Sequence, residues 1–247
     1  MEFIKITPEN LESEHICCAM SGAEMQSKKD WLKKRLSEGL VFLKSVERGK
    51  CFIEYLPAEY AWSPVDADGY MYIDCLWVSG KFKGHGYSSE LLDTCISDNR
   101  AKGKKGLVIL SSKKKMGFLA DPKYLRYKGF LLADTAEPYF ELMYLPFDKS
   151  AKKPKFREHV HSPHVSKNGF ALYYTNQCPF PAKYVPIIEN MAKEHGAEFK
   201  SIHIETAEQA QSSPSPFTTY SLYYNGEFIT HEILSEKKFE KILADKL

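Results

Sequence analysis

A chain of 247 residues with 43% hydrophobic and 27% charged content has the balance of an ordinary globular protein, long enough to bury a core without crosslinks. A formal net charge of +2 gives no overall pull toward nucleic acid, and no apolar run approaches the ~20 residues that a membrane span needs. At ~150 residues per domain the length predicts one large or two small domains.

The opening MEFIKITPEN is polar and acidic from the start and lacks the apolar core of a signal peptide, so a cytoplasmic protein is expected. The six cysteines (Cys17, Cys18, Cys51, Cys75, Cys95, Cys178) show no framework spacing. Several sit in apolar runs, as reduced, buried thiols do.

Phe3 to Ile6 reads as a short strand, Thr7 to Asn10 as a turn and Leu11 to Met20 as a helix. Ser27 to Ser37 reads as a more polar helix with Trp31, Leu32, Arg35 and Leu36 at helical spacing, stopped near Gly39. Leu40 to Val46 and Lys50 to Leu56 read as strands paired across Glu47-Arg48-Gly49. Pro57 to Gly69 is irregular and carries Tyr60, Trp62, Asp66 and Asp68.

The central stretch runs from Tyr70 to Ile96. Its first part, with Tyr72, Ile73, Cys75, Leu76, Trp77 and Val78, predicts a strand buried on both faces. Lys81 to Gly86 (KFKGHG) is a basic turn. Beyond Tyr87 the period changes, and Ser88, Leu91, Leu92, Cys95 and Ile96 fall three and four apart, as on one helix face. The loop opens into a helix N-terminus, where unpaired N–H groups and the helix dipole favour an anion. Gly84 and Gly86 let backbone approach a phosphate, and Ser88 and Ser89 add hydroxyl donors. A tight strand-to-helix connection with no ligand is the competing reading.

Lys102 to Lys105 closes that helix with basic residues. Gly106 to Leu110 is a buried strand, Ser111 to Met116 a basic loop, and Phe118 to Lys128 is helical in part before Gly129. Phe130 to Ala133 and Tyr139 to Leu145 follow as strands. Residues 148–167 change character, with Pro154, Pro163 and six positive charges against Glu158 over 149–167. They predict a basic linker, favoured as a solvated connector packed across the first domain over a nucleic-acid contact. His159, His161 and His164 could hold a metal, but a proline lies among them and no cysteine is near, so no metal is expected.

From Gly169 the pattern resumes. Phe170 to Tyr174 is a strand, Thr175 to Pro181 a loop with Cys178, and a helix begins about Ala182 with Tyr184, Ile187, Ile188, Met191 and Ala192 apolar. Strands follow at Phe199 to Ile204 and Thr218 to Tyr224. Asn225-Gly226 is a hairpin signal into Glu227 to Leu234. Ser235 can cap a last helix ending near Leu243.

The run Val78-Ser79-Gly80-Lys81-Phe82-Lys83-Gly84-His85-Gly86-Tyr87-Ser88, followed by Leu91-Leu92, closely resembles the acetyl-CoA signature of the GNAT acetyltransferases. Two positions depart from it: Lys83 stands for Arg or Gln, and Ser88 for a small residue. Lysine meets pyrophosphate as a point charge rather than a fork. Ile73-Asp74-x-Leu76-x-Val78 is also of GNAT type, and the resemblance spans about residues 1–147. It implies a mixed α/β fold (an α+β mixed sheet) of the GNAT acyl-CoA N-acyltransferase kind. It further implies acetyl-CoA as cosubstrate, held by backbone of Leu76, Trp77 and Val78 and by Lys83, Gly84, His85, Gly86, Tyr87, Ser88 and Ser89.

The strand–cysteine loop–helix order of 168–247 looks like a small thioredoxin-like α/β domain. Pro186 follows Cys178 by eight residues, as a helix proline does in thioredoxins. Pro181 stands where a redox pair needs its second cysteine, and the segment from Pro216 to Asn225-Gly226 is longer than usual. The two domains in this order, 1–147 and 168–247 about the linker 148–167, resemble the YoaP-like group.

The resemblance makes the chain an N-acetyltransferase acting on a primary amine of a small molecule or peptide. Asp74 is the candidate base, with a buried structural carboxylate as the alternative. GNAT enzymes often carry a tyrosine acid four residues ahead of a Gly-Phe pair; that position here is Leu125, flanked by Tyr124 and Tyr127, and Tyr124 is preferred. Glu54, Tyr60 and Trp62 are candidates for the acceptor pocket, with core and loop packing favoured for the aromatics. Cys178 at a helix N-terminus would have thiolate character. It supports an alternative, a monothiol exchange or acceptor-binding protein with a non-catalytic CoA domain. A nucleic-acid module using Lys113 to Lys115 lacks interleaved aromatics. No membrane partner is expected, and homodimerisation stays open.

Overall fold

The computed structural model describes residues 1–16, 22–148 and 150–247. Strand β1 (Phe3–Lys5) is followed by turns over 8–13, not by the start of a helix; the rest of the expected Leu11 to Met20 helix, with Cys17 and Cys18, lies outside the described residues, as does Lys149. Helix α1 (Ala23–Leu36) begins a turn earlier than its polar sequence suggests and sets Trp31 and Leu32 into the core. Then come β2 (Val41–Ser45) and β3 (Cys51–Pro57), the expected hairpin, and a short β4 (Val65–Asp66).

Strand β5 (Tyr70–Val78), helix α2 (Tyr87–Ala101) and strand β6 (Gly106–Ser112) form the strand–loop–helix–strand unit. Helix α3 (Pro122–Tyr127) is capped by Asp121, whose carboxylate accepts from the N–H groups of Lys123 and Tyr124. Strands β7 (Leu131–Ala136) and β8 (Phe140–Pro146) complete a seven-stranded sheet of order β1-β2-β3-β5-β6-β8-β7. Only β5 and β6 run parallel in it. One face packs α2 and α3 through Leu91, Leu92, Cys95 and Leu125, and the other packs α1 through Trp31 and Leu32.

The expected linker is not a free tether. Its β9 (Lys155–Phe156) pairs with β4, Phe156 is buried to 1% exposure, and Val160 is buried with it. Two apolar side chains in a basic segment are enough to fasten it down, because the charged neighbours remain in water.

The last third builds a four-stranded sheet, β11-β10-β12-β13, from β10 (Phe170–Tyr174), β11 (Phe199–His203), β12 (Tyr220–Tyr224) and β13 (Glu227–Thr230). β10 and β11 are parallel across helix α4 (Phe180–Glu194), and the other pairs are antiparallel. Asn225 and Gly226 both have positive φ, 50° and 86°, as the β12–β13 turn requires. A short α5 (Ala207–Gln211), capped by Thr206, lies inside what the sequence leaves as loop. Helix α6 (Glu236–Lys246) starts after Ser235, whose side chain makes no cap hydrogen bond.

This sheet has its own core around Phe170, Leu222 and Phe239, yet Ile204 and Ala210 join the core of the large sheet. Polar contacts reinforce the junction. The Tyr139 hydroxyl and His231 Nδ1 lie 2.6 Å apart, Ser63 donates to the Pro216 carbonyl at 3.0 Å, and the Thr218 hydroxyl donates to the Trp62 carbonyl. Among the described residues no helix is long and apolar enough to cross a membrane.

Candidate active site

Strand β5 is buried on both faces only in its first half. Tyr70, Met71, Tyr72 and Ile73 are buried and pair with Gly106 to Ile109 of β6. From Asp74 to Val78 the residues are half-buried or, at Trp77, exposed, which corrects the expectation of a strand covered throughout. The cause is a divergence: β5 stays paired with β3 as far as Val78, while beyond Ile109 β6 leaves β5, staying paired with β8 and bridging Ala120 at Ser111. Among the described residues, the backbone of Leu76, Trp77 and Val78 has no β6 partner.

The glycine loop stands at the end of that opening. Gly84 and Gly86 take φ values of 87° and 81°, a region that favours glycine, and a Cβ built on either meets nothing within 4 Å. None of the N–H groups of Gly84, His85, Gly86, Tyr87 and Ser88 donates to a described protein acceptor, whereas Ser89 and Glu90 bond back to the Gly86 carbonyl. Free amides at a helix N-terminus, with exposed Lys81, Lys83 and His85 around them, suit a diphosphate group. The residues present therefore fit the nucleotide end of coenzyme A.

On the α1 side of the opening lies a buried charge cluster. Lys28 Nζ bonds both carboxylate oxygens of Glu54, at 2.7 and 2.8 Å, with both side chains at most 2% exposed. Burial pushes the Glu54 carboxyl up to about 7, with Lys28 pulling it down and the adjacent Asp74 pushing it up. The Asp74 carboxyl is raised too, by burial, against the opposing effect of Lys28 and Gln177. Gln177, from the loop before α4, donates from Nε2 to Asp74 Oδ1 at 2.8 Å. Its Oε1 accepts from the Thr175 hydroxyl at 2.8 Å and lies 3.0 Å from the Thr218 hydroxyl.

Asp74 lines a cavity of about 60 Å³ between the β5–β6 opening and the C-terminal sheet. Leu76, Trp77 and the expected Trp62 line it as well, and Gln177 and Phe217 close it from the C-terminal side. Glu54 stands behind Asp74 and is not part of the wall; Tyr60 is exposed and away from it.

Tyr124 packs on the opposite face, against the cluster that holds Leu91, Phe82 and Leu125, and its buried hydroxyl has no hydrogen-bond partner among the described residues. Leu125 is core and Tyr127 is 83% exposed, so of the three positions only Tyr124 presents a hydroxyl inward. Cys178 is half-buried against the core of the C-terminal sheet, two residues before α4 begins. His159 bonds the Ser213 carbonyl and His161 lies 3.8 Å from Asp134; among the described residues no group of three or more metal-ligating side chains forms. Lys113 to Lys115 stay in an exposed loop.

Lys28 and Gln177 were not legible as site residues. Lys28 does fall one turn before Trp31 and Leu32 on the same helical face, which is the one sequence signal for its burial. Gln177 sits 103 positions from its partner, and no local pattern marks it.

A mixed sheet that opens between two parallel strands, with unbonded glycine-loop amides beside the opening, defines a class: the GNAT N-acyltransferase fold. Comparison with known proteins narrows it. The chain is 44% identical over 247 residues to a Bacillus subtilis (strain 168) protein named as an uncharacterized N-acetyltransferase, YoaP, covering 98% of each chain. A family model described as YoaP-like matches residues 198–241. The chain thus belongs to the YoaP-like family of N-acetyltransferases.

Solved structures overlap part of the chain more loosely. A GNAT family acetyltransferase from Brucella melitensis in complex with acetyl-CoA is 16% identical, with 64% of this chain and 96% of that one covered and a TM-score of 0.38. The GNAT family N-acetyltransferase YhbS from Escherichia coli in complex with CoA is 14% identical, with coverage of 66% and 93% and a TM-score of 0.41.

Proposed function

We propose that the protein moves the acetyl group of acetyl-CoA to a primary amine at the β5–β6 opening. The observation that carries this is the run of five amides, Gly84 to Ser88, unbonded among the described residues and placed beside the end of β5, where Leu76 to Val78 have no β6 partner. The loop amides hold the diphosphate, with Lys83 as a nearby point charge, and Ser88 and Ser89 keep the first helical turn small. Backbone of Leu76, Trp77 and Val78 aligns the pantetheine arm, and an N–H on this edge polarises the thioester carbonyl.

Asp74 accepts a proton from the incoming ammonium, and burial makes its carboxyl a better proton acceptor than a solvated aspartate. The free amine nitrogen then bonds to the carbonyl carbon as the carbon–sulfur bond breaks. Tyr124 gives its proton to the departing thiolate and regains one from the new amide nitrogen. One proton leaves through the carboxyl pair, so atoms and charge balance.

In this reading 1–147 is the acetyltransferase domain, 148–167 a fastened connector and 168–247 a thioredoxin-like domain that covers the acceptor side. The β11-β10-β12-β13 order with one parallel pair supports the last assignment. Pro181 stands where a dithiol exchange site would need its second cysteine. The acting protein is read as cytoplasmic.

The test is ligand stabilisation. Saturating acetyl-CoA raises the melting temperature, and Gly86→Trp, which fills the cradle, removes the shift while leaving the unliganded protein folded. A wild-type protein that shows no shift would overturn the proposal.

A further inference from the structure

The acceptor end of the site has a chemistry of its own. Trp62, Leu76, Leu110, Phe118, Leu119 and Phe217 give it apolar wall, and its polar lining apart from Asp74 is uncharged, as at Gln177, Thr218 and Thr219. Asp74 is the one carboxylate among the described residues that line it, and no lysine or arginine lines it. Behind Asp74 stand one cation, Lys28, and a second carboxyl, Glu54. Lys28 is already matched by both oxygens of Glu54, so Asp74 is the carboxyl that faces an entering ammonium. An acceptor carboxylate or phosphate would meet no counter-charge and would lie beside Asp74, an arrangement that is costly away from water.

The room is small as well. About 60 Å³ is space for a handful of water positions, at ~10–15 Å³ each. The junction with the C-terminal sheet shuts the far side: Ser63 bonds the Pro216 carbonyl and Thr218 the Trp62 carbonyl. A polypeptide cannot thread through such a junction, and a second ammonium on a long acceptor would find no second carboxylate in the described lining. Gln177 keeps Asp74 aimed: with Oε1 turned to the Thr175 hydroxyl, Nε2 is the atom left to donate to the carboxylate.

Resting on the acetyltransferase reading, we propose that the acceptor is a compact monoamine with an uncharged apolar body, its ammonium seated on Asp74, and not an amino acid, a polyamine or a lysine side chain of a protein.

The test is titration calorimetry on the full chain loaded with coenzyme A, using three probes: 3-methylbutylamine, leucine and spermidine. Leucine is the same branched body with a carboxylate added, and spermidine adds further ammonium groups. The expected result is that 3-methylbutylamine binds at least ten-fold more tightly than either. Asp74→Asn, close to isosteric, weakens the monoamine at least ten-fold and leaves coenzyme A affinity within two-fold. Equal or tighter binding of leucine or spermidine, no binding of the monoamine, or an unaltered monoamine affinity in Asp74→Asn overturns the inference. If coenzyme A itself fails to bind, the acetyltransferase reading falls separately, and the same titrations on the unloaded chain still decide the acceptor class.

Discussion

Gln177 donates from its side-chain amide to the Asp74 carboxylate at 2.8 Å, tying the loop before α4 to the middle of the central strand of the other sheet. Through that bond the C-terminal third of the chain takes part in the charge cluster. Replacing Gln177 with Leu leaves a half-buried carboxylate short of a donor and the Thr175 hydroxyl without its acceptor. The expected loss of unfolding free energy is about 1–3 kcal/mol, read from urea denaturation. Gln177→Glu is near-isosteric but adds a third carboxyl, so it moves the acidic limb of the acetylation rate upward in pH. A pH–rate profile identical to the wild type would show that Gln177 has no influence on the pair.

Tyr124 offers a cleaner separation of chemistry from folding. Its hydroxyl is buried and without a partner among the described residues, so Tyr124→Phe removes no hydrogen bond from the resting protein. The melting temperature stays unchanged or rises slightly. The rate of coenzyme A release at saturating acetyl-CoA falls by about 10²-fold, with KM for acetyl-CoA little altered, if the hydroxyl protonates the thiolate. Tyr127→Phe, at an 83% exposed position, changes neither quantity.

The Glu54 carboxyl gives a stability signature. Its value rises from the ordinary 4.5 to about 7 because burial disfavours the charged form. Between those two pH values the folded state holds a proton that the unfolded state has released, so stability falls as pH rises across that window. The fall attributable to Glu54 is confined to that window, and the contribution is flat above it. Denaturation midpoints measured from pH 4 to 8 in wild type and Glu54→Gln check this; parallel curves would refute it.

Cys178 decides between acetyl transfer and thiol exchange. Cys178→Ser keeps acetyl transfer within about two-fold, since the proposed chemistry passes no bond through sulfur. Thiol-coupled turnover that disappears in this variant would instead restore the monothiol alternative.

Much of the N-terminal architecture was open to reading because its signals are local. The shift from a strand run to helical spacing at Tyr87 marks the strand–loop–helix unit, and Gly84 and Gly86 mark the left-handed turns in it. Asn225-Gly226 marks its hairpin in the same way. The helix bounds around Ala23 and the short α5 escaped notice, because weakly amphipathic or very short helices are settled by what they pack against.

By itself, then, the sequence marked most of the elements and the glycine loop, since each depends on residues within a few positions of one another. The tertiary structure alone decided that β5 and β6 part after Ile73, that Lys28, Glu54, Asp74 and Gln177 share one cluster, and that the basic connector is pinned by Phe156. These are outcomes of sheet divergence and of burial between distant segments. A carboxyl becomes a proton acceptor suited to neutral pH only when the surrounding fold has removed its water.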